Sequence, residues 1–273
     1  MNRRSAFIAV IGAPNAGKST LVNALVGAKV SIVTQKVQTT RARIRGILVE
    51  GDAQLVFTDT PGIFEPRRRL DRAMVAAAWE SLEGADAIVL VIDAAAQLSG
   101  PSKSTADTDA IIAELKRQER KATLALNKID KVARPDLLKL IAALNAEGVF
   151  DEVFLISAEN GDGVKDLRAH LIARARPGDW HFPEDQLSDI SDRLMAAEVT
   201  REKVFKRLHQ ELPYESTVET TSWTRTKKGE LKIEQTIYVS RESQRPIVLG
   251  KGGATLKAIG EAARKELAEL FGE

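Results

Sequence analysis

Eight consecutive residues, Gly12-Ala13-Pro14-Asn15-Ala16-Gly17-Lys18-Ser19, place two glycines five apart and follow the second with lysine and serine. That spacing suits the phosphates of a nucleoside triphosphate. Glycines let the backbone wrap closely around phosphate oxygens, and successive N–H groups point inward at a helix N-terminus. Lys18 would meet the β- and γ-phosphates, and Ser19 would give its hydroxyl to Mg²⁺, with Gly12, Ala16, Gly17 and Thr20 completing the cradle. A plain glycine-bounded turn carrying a lysine is the competing reading. The flanks argue against it, because an apolar run, Ala6 to Ile11, precedes the loop and a helix-period stretch, Ser19 to Val26, follows it.

Further short patterns carry chemistry that complements this loop. Asn127-Lys128-Ile129-Asp130 follows the apolar run Thr123 to Leu126, and so sits where an open α/β sheet binds ligands. The Asp130 carboxylate can accept from both the N1–H and the 2-amino group of guanine, a donor pair that adenine lacks. Lys128 can lay its stem over the purine. Asp59-Thr60-Pro61-Gly62 ends another run, Leu55 to Thr58; there Asp59 would reach Mg²⁺ through a water and the Gly62 N–H would sense the γ-phosphate. Thr39-Thr40-Arg41 lies in a polar segment between the first helix and the second strand. Thr40 is taken as the second hydroxyl on Mg²⁺, with Thr39 as the alternative that spacing alone does not eliminate. Ser157-Ala158 fits the loop whose backbone touches the guanine O6. Together these residues form a GTP/GDP site with Ser19, Thr40 and Asp59 as metal ligands.

The elements that must position these loops alternate. Apolar runs recur at Ala6 to Gly12, Leu55 to Thr58, Ala87 to Ile92, Thr123 to Leu126 and Val153 to Ile156, and helix-period stretches lie at Ser19 to Val26, Asp107 to Gln118, Pro135 to Leu144 and Val164 to Arg174. The expectation is a mostly parallel, doubly wound α/β sheet over residues 1–176. Two prolines and a glycine in Arg176 to Pro183 mark a linker, placed at 177–189. Residues 190–273 read as a smaller α+β domain. In it a helix, about Ser191 to Glu211, precedes two period-2 strands, about Ser216 to Arg225 and Glu230 to Ser240, which turn at Lys227-Lys228-Gly229. A glycine-rich turn and a last helix, Ala254 to Phe271, complete it. Gly250-Lys251-Gly252-Gly253 is a GxxG sequence between an apolar segment and that helix. Such a loop clamps the backbone of about four nucleotides of single-stranded nucleic acid, and Lys251 would neutralise a phosphate. A helix-capping turn is the plainer alternative, and a second triphosphate loop is rejected because the lysine–serine/threonine pair is missing.

Composition limits the remaining choices. The 273 residues contain no cysteine, which excludes a disulfide framework, a thiolate zinc site and a cysteine nucleophile. Three histidines, His170, His181 and His209, have no ligand spacing. The longest apolar stretch, Ala85 to Ala96, is broken by Asp86 and Asp93, so no membrane-spanning segment is expected. Forty basic and 38 acidic residues exclude a general polyanion-coating protein, and residues 177–273, with 15 basic against 17 acidic, are not the basic half. Any RNA site is therefore local. The chain reads as cytoplasmic and monomeric, with peripheral association with the inner membrane face left open.

In this order the motifs look like those of a translation-factor-class GTPase. Gly12 to Thr20, Thr39-Thr40-Arg41 and Asp59-Thr60-Pro61-Gly62 resemble the bacterial Era family specifically, as do Phe182-Pro183-Glu184-Asp185, Glu202-Lys203, Glu211-Leu212-Pro213-Tyr214 and the GxxG loop. The resemblance implies a P-loop GTPase domain followed by a type II KH domain, GTP hydrolysis to GDP, binding to the 3′ end of 16S ribosomal RNA and a role in small-subunit maturation. RNA contact then falls on Gly250, Lys251, Gly252 and Gly253, with Lys257 nearby. It also implies one more strand and helix after the GxxG helix, so the KH domain is expected to lack its last two elements. Ras-like proteins place a water-orienting glutamine after the DxxG motif, whereas Ile63 and Phe64 stand there here, so slow intrinsic hydrolysis is expected. Relatives of this kind look K⁺-stimulated, which would make Asn15 a K⁺ ligand and give it a catalytic part beside Lys18 and Thr40; the alternative is that Asn15 merely tolerates a turn. Two other readings fit part of the pattern. One is a non-enzymatic RNA chaperone using GTP as a structural ligand; the other, a tRNA-modification GTPase, is set aside for want of a C-terminal cysteine motif. Plain roles suffice for Arg67-Arg68-Arg69 (solvated loop), Trp180 (docked linker aromatic) and Trp79 (core), and Arg41, Arg43 and Arg45 are expected along one face of a strand.

Overall fold

The computed structural model describes residues 3–36, 39–41, 43–66, 68–209 and 212–273, in two compact units. The first comprises the chain up to Ser31 and Thr40–Asp189; the second comprises Ile32–Thr39 and Ile190–Glu273. Arg67 and Glu211 lie outside the described residues.

The first unit runs β1 (Arg4–Ile11), α1 (Lys18–Val26), β2 (Ile44–Glu50), β3 (Ala53–Asp59), α2 (Arg69–Glu80), β4 (Ala87–Asp93), α3 (Ala94–Leu98), α4 (Lys103–Arg117), β5 (Ala122–Asn127), α5 (Arg134–Ala146), β6 (Phe150–Leu155), α6 (Val164–Ala173) and β7 (Arg176–Pro177). Its sheet has the order β2-β3-β1-β4-β5-β6, with the two-residue β7 beside the start of β1. The pairs β1–β3, β1–β4, β4–β5 and β5–β6 are parallel, and β2–β3 and β1–β7 are antiparallel. Both faces of β1 are covered, which explains its unbroken apolar sequence. Ala6, Ile8 and Val10 pack with Leu21 and Leu25 of α1 and Leu167 and Leu171 of α6. Ala9 and Ile11 pack on the other side with Ala78, Ile111, Leu115 and Leu137. Trp79 is half-buried against that second core.

Arg41 and Arg43 precede β2 rather than alternating along it, which corrects the sequence reading. Pairing of β2 begins at Ile44↔Asp59, where β3 ends. Only Arg45 is on the strand, and its guanidinium lies 4.0 Å from Asp189. The same pairing logic starts β6 at Phe150, three residues before the apolar run suggests, because Ala122 pairs with Phe150 across an irregularity.

Residues after β7 bind as a strap to β2 and β3. The side chain of Gln54, fully buried, accepts the His181 and Phe182 N–H groups at 2.8 and 3.1 Å and donates to the Phe182 carbonyl at 2.8 Å. Trp180 donates to the Asp52 carbonyl at 3.1 Å, under the Arg3 guanidinium. Ile47 N–H donates to the Leu187 carbonyl, and Ser188 bridges Gly46 in antiparallel fashion. The strap thus covers part of the open edge of β2, where unpaired backbone groups would otherwise invite another chain.

In the second unit, α7 (Asp192–Arg207) precedes the hairpin β8 (Ser216–Arg225) and β9 (Leu231–Val239), then α8 (Arg245–Leu249) and α9 (Ala254–Phe271). The helix α7 is shorter than the sequence suggests, since Leu208 already adopts an extended conformation. Alternate residues of β8 and β9 face the helices. Val218 packs with Ala197, Val204, Val248 and Ile259, and Trp223 meets Phe271 edge-on at 5.4 Å. Charge is also buried here. Glu202 accepts the Val33 N–H at 3.0 Å, and the Arg201 guanidinium donates to the Thr39 carbonyl at 2.6 Å. These bonds tie Ile32–Thr39 to α7.

Gln54→Ala should remove the acceptor of the part-buried His181 and Phe182 N–H groups, which water can partly replace, at about 1 kcal/mol of lost stability. Chemical unfolding measures the loss, and faster proteolysis between residues 177 and 183 should accompany it.

Candidate functional site

Strands β1, β3, β4 and β5 end side by side, and their register aligns Val10 with Asp59 and Asp93 with Asn127. The candidate residues collect on the loops that leave this edge, the usual ligand-binding edge of an open parallel sheet.

Lys18 opens α1 with its ammonium buried, donating to the carbonyls of Gly12 at 3.1 Å and Ala13 at 2.9 Å. Burial lowers its pKa to about 8, while the Asp59 charge opposes that shift. Neutral carbonyls leave the ammonium's charge in place, so the loop is built to receive an anion.

Asp59 is fully buried, and neither of its carboxylate oxygens has a hydrogen-bond partner. Burial raises its pKa; the hydroxyls of Ser19 and Ser31, the Lys18 charge and the Thr40 hydroxyl draw it down. Three hydroxyls therefore face a carboxylate without completing a bond to it. Ser19 Oγ and Thr40 Oγ1 are 2.9 Å apart. Hard oxygen donors with an orphaned carboxylate fit Mg²⁺, which takes few protein ligands and completes its shell with water and substrate phosphate. Among the described residues no group of three or more His, Cys, Asp or Glu could hold a metal ion, so an ion here would rely on hydroxyls and substrate oxygens. Thr39 is engaged elsewhere: its hydroxyl meets Thr34 Oγ1 at 2.6 Å and the Lys36 carbonyl at 2.7 Å.

After β3 the chain passes against the phosphate loop. Ile63 N–H donates to the Gly12 carbonyl at 3.1 Å, and a Cβ on Gly62 would lie 2.9 Å from the Cα, Cγ and N of Pro14. Any side chain at this position would collide with Pro14 of the loop. Ile63 and Phe64 are buried in the apolar core and offer nothing polar to a water.

On the other side of the loop, Asn127 is buried and bonds two neighbours. Its Nδ2 donates to the Ala16 carbonyl at 2.8 Å, and its Oδ1 accepts the Ala158 N–H at 2.9 Å. Lys128 Nζ donates to the Asn15 carbonyl at 2.8 Å and to Asp93 Oδ2 at 2.5 Å. Asp130 stands exposed on a single turn, Ile129–Lys131, and Ser157 is buried with its N–H on the Asp162 carbonyl at 3.0 Å. Asn15 itself is exposed and has φ 62°. The phosphate loop, the Asn127–Asp130 loop and the Ser157-Ala158 turn are thus one bonded assembly. Thr20 lies half-buried in the first turn of α1.

Two supporting residues escaped the sequence reading. Asn23 on α1 accepts the Val30 and Ser31 N–H groups at 2.9 Å each and donates to the Ser31 carbonyl at 2.8 Å, which fixes the backbone beside Asp59. Nothing in the sequence isolates Asn23 from other polar helix residues. Asp93 is different, since a carboxylate closing an apolar strand at the ligand edge is itself a signal.

The second unit carries the GxxG loop. Gly250 has φ 73°, and a Cβ there would strike Thr255 Oγ1 at 2.2 Å. Gly253 N–H donates back to the Gly250 carbonyl at 3.1 Å, and Lys251, Gly252 and Lys257 are exposed. Lys257 lies 3.9 Å from Glu261. Exposed Ile247, Leu249 and Leu256 flank the loop.

A family model described as a 50S ribosome-binding GTPase matches residues 7–128, and a KH-domain model matches residues 211–273. Curated relatives named GTPase Era are 57% identical over 268 residues in Agrobacterium fabrum and 56% identical over 276 residues in Caulobacter vibrioides. The alignments cover 98% of this chain and 83% and 87% of those proteins. Two solved structures superpose with a TM-score of 0.91 at 36% identity: Era in complex with MgGDPNP and nucleotides 1506–1542 of 16S ribosomal RNA, and a point variant of Aquifex aeolicus Era bound to GDP·AlF4⁻. The first covers 99% of this chain and 90% of that one, and the second 98% and 90%. On this identity, over nearly its whole length, the chain belongs to the Era family of GTPases, with a P-loop GTPase fold followed by a KH domain.

Proposed function

We propose that this chain is a GTP-governed RNA-binding switch of small ribosomal subunit assembly. In this reading a nucleotide domain, residues 1–176, takes up GTP with Mg²⁺ and releases GDP, and a KH domain, residues 190–273, binds the 3′ end of 16S ribosomal RNA; residues 177–189 link them. The observation that carries it is the meeting of the buried Lys18 with the orphaned Asp59 and the Ser19–Thr40 hydroxyl pair at one sheet edge. Ser19 and Thr40 would hold the ion directly and Asp59 through a water; bound Mg²⁺ would draw charge from the phosphates. Asp130 and Lys128 would read guanine, the Ser157-Ala158 turn its O6, and the Gly62 N–H the γ-phosphate. Binding to RNA rests on the glycine loop around Lys251 and on likeness to the Era–16S RNA complex. The setting is the cytoplasm, as a monomer. No helix of the described residues is long and apolar enough to cross a membrane.

Phosphate release from GTP, with and without a single-stranded oligonucleotide of the 16S 3′ end, tests the reading. Turnover together with oligonucleotide binding is expected. Tight GTP binding with no phosphate released even with K⁺ and RNA would contradict it and favour an RNA chaperone that keeps GTP as a structural ligand.

Catalysis has one missing part, since Ile63 and Phe64 cannot orient a water. Asn15, exposed at the phosphate loop, supplies a side-chain oxygen for K⁺, and a cation there would act as an arginine finger does. Turnover should be at least about tenfold faster in K⁺ than in Na⁺, equal to ~1.4 kcal/mol of barrier. Asn15→Ala should abolish the difference. Equal rates in the two salts would remove K⁺ from the account.

A further inference from the structure

We infer that Asp93 is a positioning residue for guanine-nucleotide binding, holding Lys128 so that the base-reading loop stays bonded to the phosphate loop. It belongs to none of the nucleotide-binding sequence motifs. The inference rests on the nucleotide reading above.

Asp93 is the last residue of β4 and lies in register with Asn127 at the end of β5. Its two carboxylate oxygens have separate tasks. Oδ1 accepts the Ala96 N–H at 3.0 Å and caps the short helix α3, which fixes the plane of the carboxylate. Oδ2 is then turned toward Lys128 and takes its ammonium at 2.5 Å. The ammonium reaches onward to the Asn15 carbonyl at 2.8 Å, which links β4, the base-reading loop and the phosphate loop.

Lys128 needs such a partner. It has φ 65°, a left-handed conformation that costs a non-glycine residue on the order of 1–2 kcal/mol. A lysine side chain also carries about 2 kcal/mol of rotamer entropy, and an unrestrained one samples solvent. The Asp93 and Lys128 side chains are 14% and 27% exposed, so the pair is partly shielded from water and salt. A carboxylate already aligned by a helix cap gives the ammonium a single direction. Lys128 thereby presents its stem as a fixed shelf and holds the Asn15 carbonyl.

Two substitutions separate this role from helix capping. Asp93→Asn keeps a good N-cap but removes the charge; Asp93→Ser keeps a cap but is too short to reach Lys128. GDP affinity and dissociation are measured with a fluorescent analogue, alongside KM, kcat and the unfolding temperature of the nucleotide-free protein. Each variant should weaken GDP by about tenfold, mainly through faster dissociation, the size of one lost charge-assisted hydrogen bond. KM should rise with the dissociation constant and kcat fall less, with the nucleotide-free unfolding temperature held. In a Lys128→Met background Asp93→Asn should have no further effect. Unchanged GDP affinity in both variants would overturn the inference, as would an equal loss in the Lys128→Met background or a loss that only follows lowered stability. Failure of the unaltered protein to bind GDP would instead refute the nucleotide reading.

Discussion

A buried ammonium, Lys18, and a buried carboxylate, Asp59, lie within electrostatic reach of one another at the phosphate loop, and the rest of the first unit is arranged around them. Removing an ion from water costs several kcal/mol even after the protein relaxes. Lys18 recovers part of this from two backbone carbonyls, while Asp59 has no hydrogen bond. The apolar packing on both faces of β1 offsets the deficit and keeps the two groups from turning outward. Asn15 and Lys128, both left-handed, add strain in the same few ångströms. Strain and unmet charge concentrated at one edge mark where a ligand completes the structure. Magnesium with a triphosphate brings the opposite charges and the missing ligands.

The loops were legible in the sequence because their chemistry is contiguous. Gly12 to Ser19 needs no tertiary information to be read, nor does Asn127 to Asp130, and the strand ends place both on one edge. The helix Ala254 to Phe271 was also readable, because glycines in left-handed conformations bound it at both ends. Pairing and long-range partners were not. Arg41 and Arg43 resemble alternating strand residues until the fold shows that β2 starts only at Ile44, paired with the last residue of β3. Gln54 looks like a surface glutamine, yet it holds backbone groups more than 120 residues away. Two adjacent threonines look alike in the sequence, and only the fold shows that Thr40 meets Ser19 while Thr39 meets Thr34.

The second unit is nearly balanced in charge, with 15 basic against 13 acidic residues over 190–273, so a site for RNA there would be local rather than served by a general positive field. Its buried charges are spent on one another and on backbone, as with Glu202 on Val33 and Arg201 on Thr39, so they contribute no outward field. Lys257 has an acidic neighbour one turn on. Lys251 stands exposed between glycines, with Ile247, Leu249 and Leu256 around it. Such a surface can seat a few nucleotides through close backbone approach and apolar contact rather than through general electrostatic attraction.

The central claim is that Lys18 and Asp59 are kept buried for the nucleotide and against the stability of the empty protein. It is tested by comparing the nucleotide-free unfolding free energies of the unaltered chain and of Lys18→Met/Asp59→Asn. The account predicts that the double variant is at least as stable without nucleotide and gains nothing from Mg²⁺ with GTP, which should stabilise the unaltered chain strongly. A double variant several kcal/mol less stable when empty would make the pair a structural element and contradict the account.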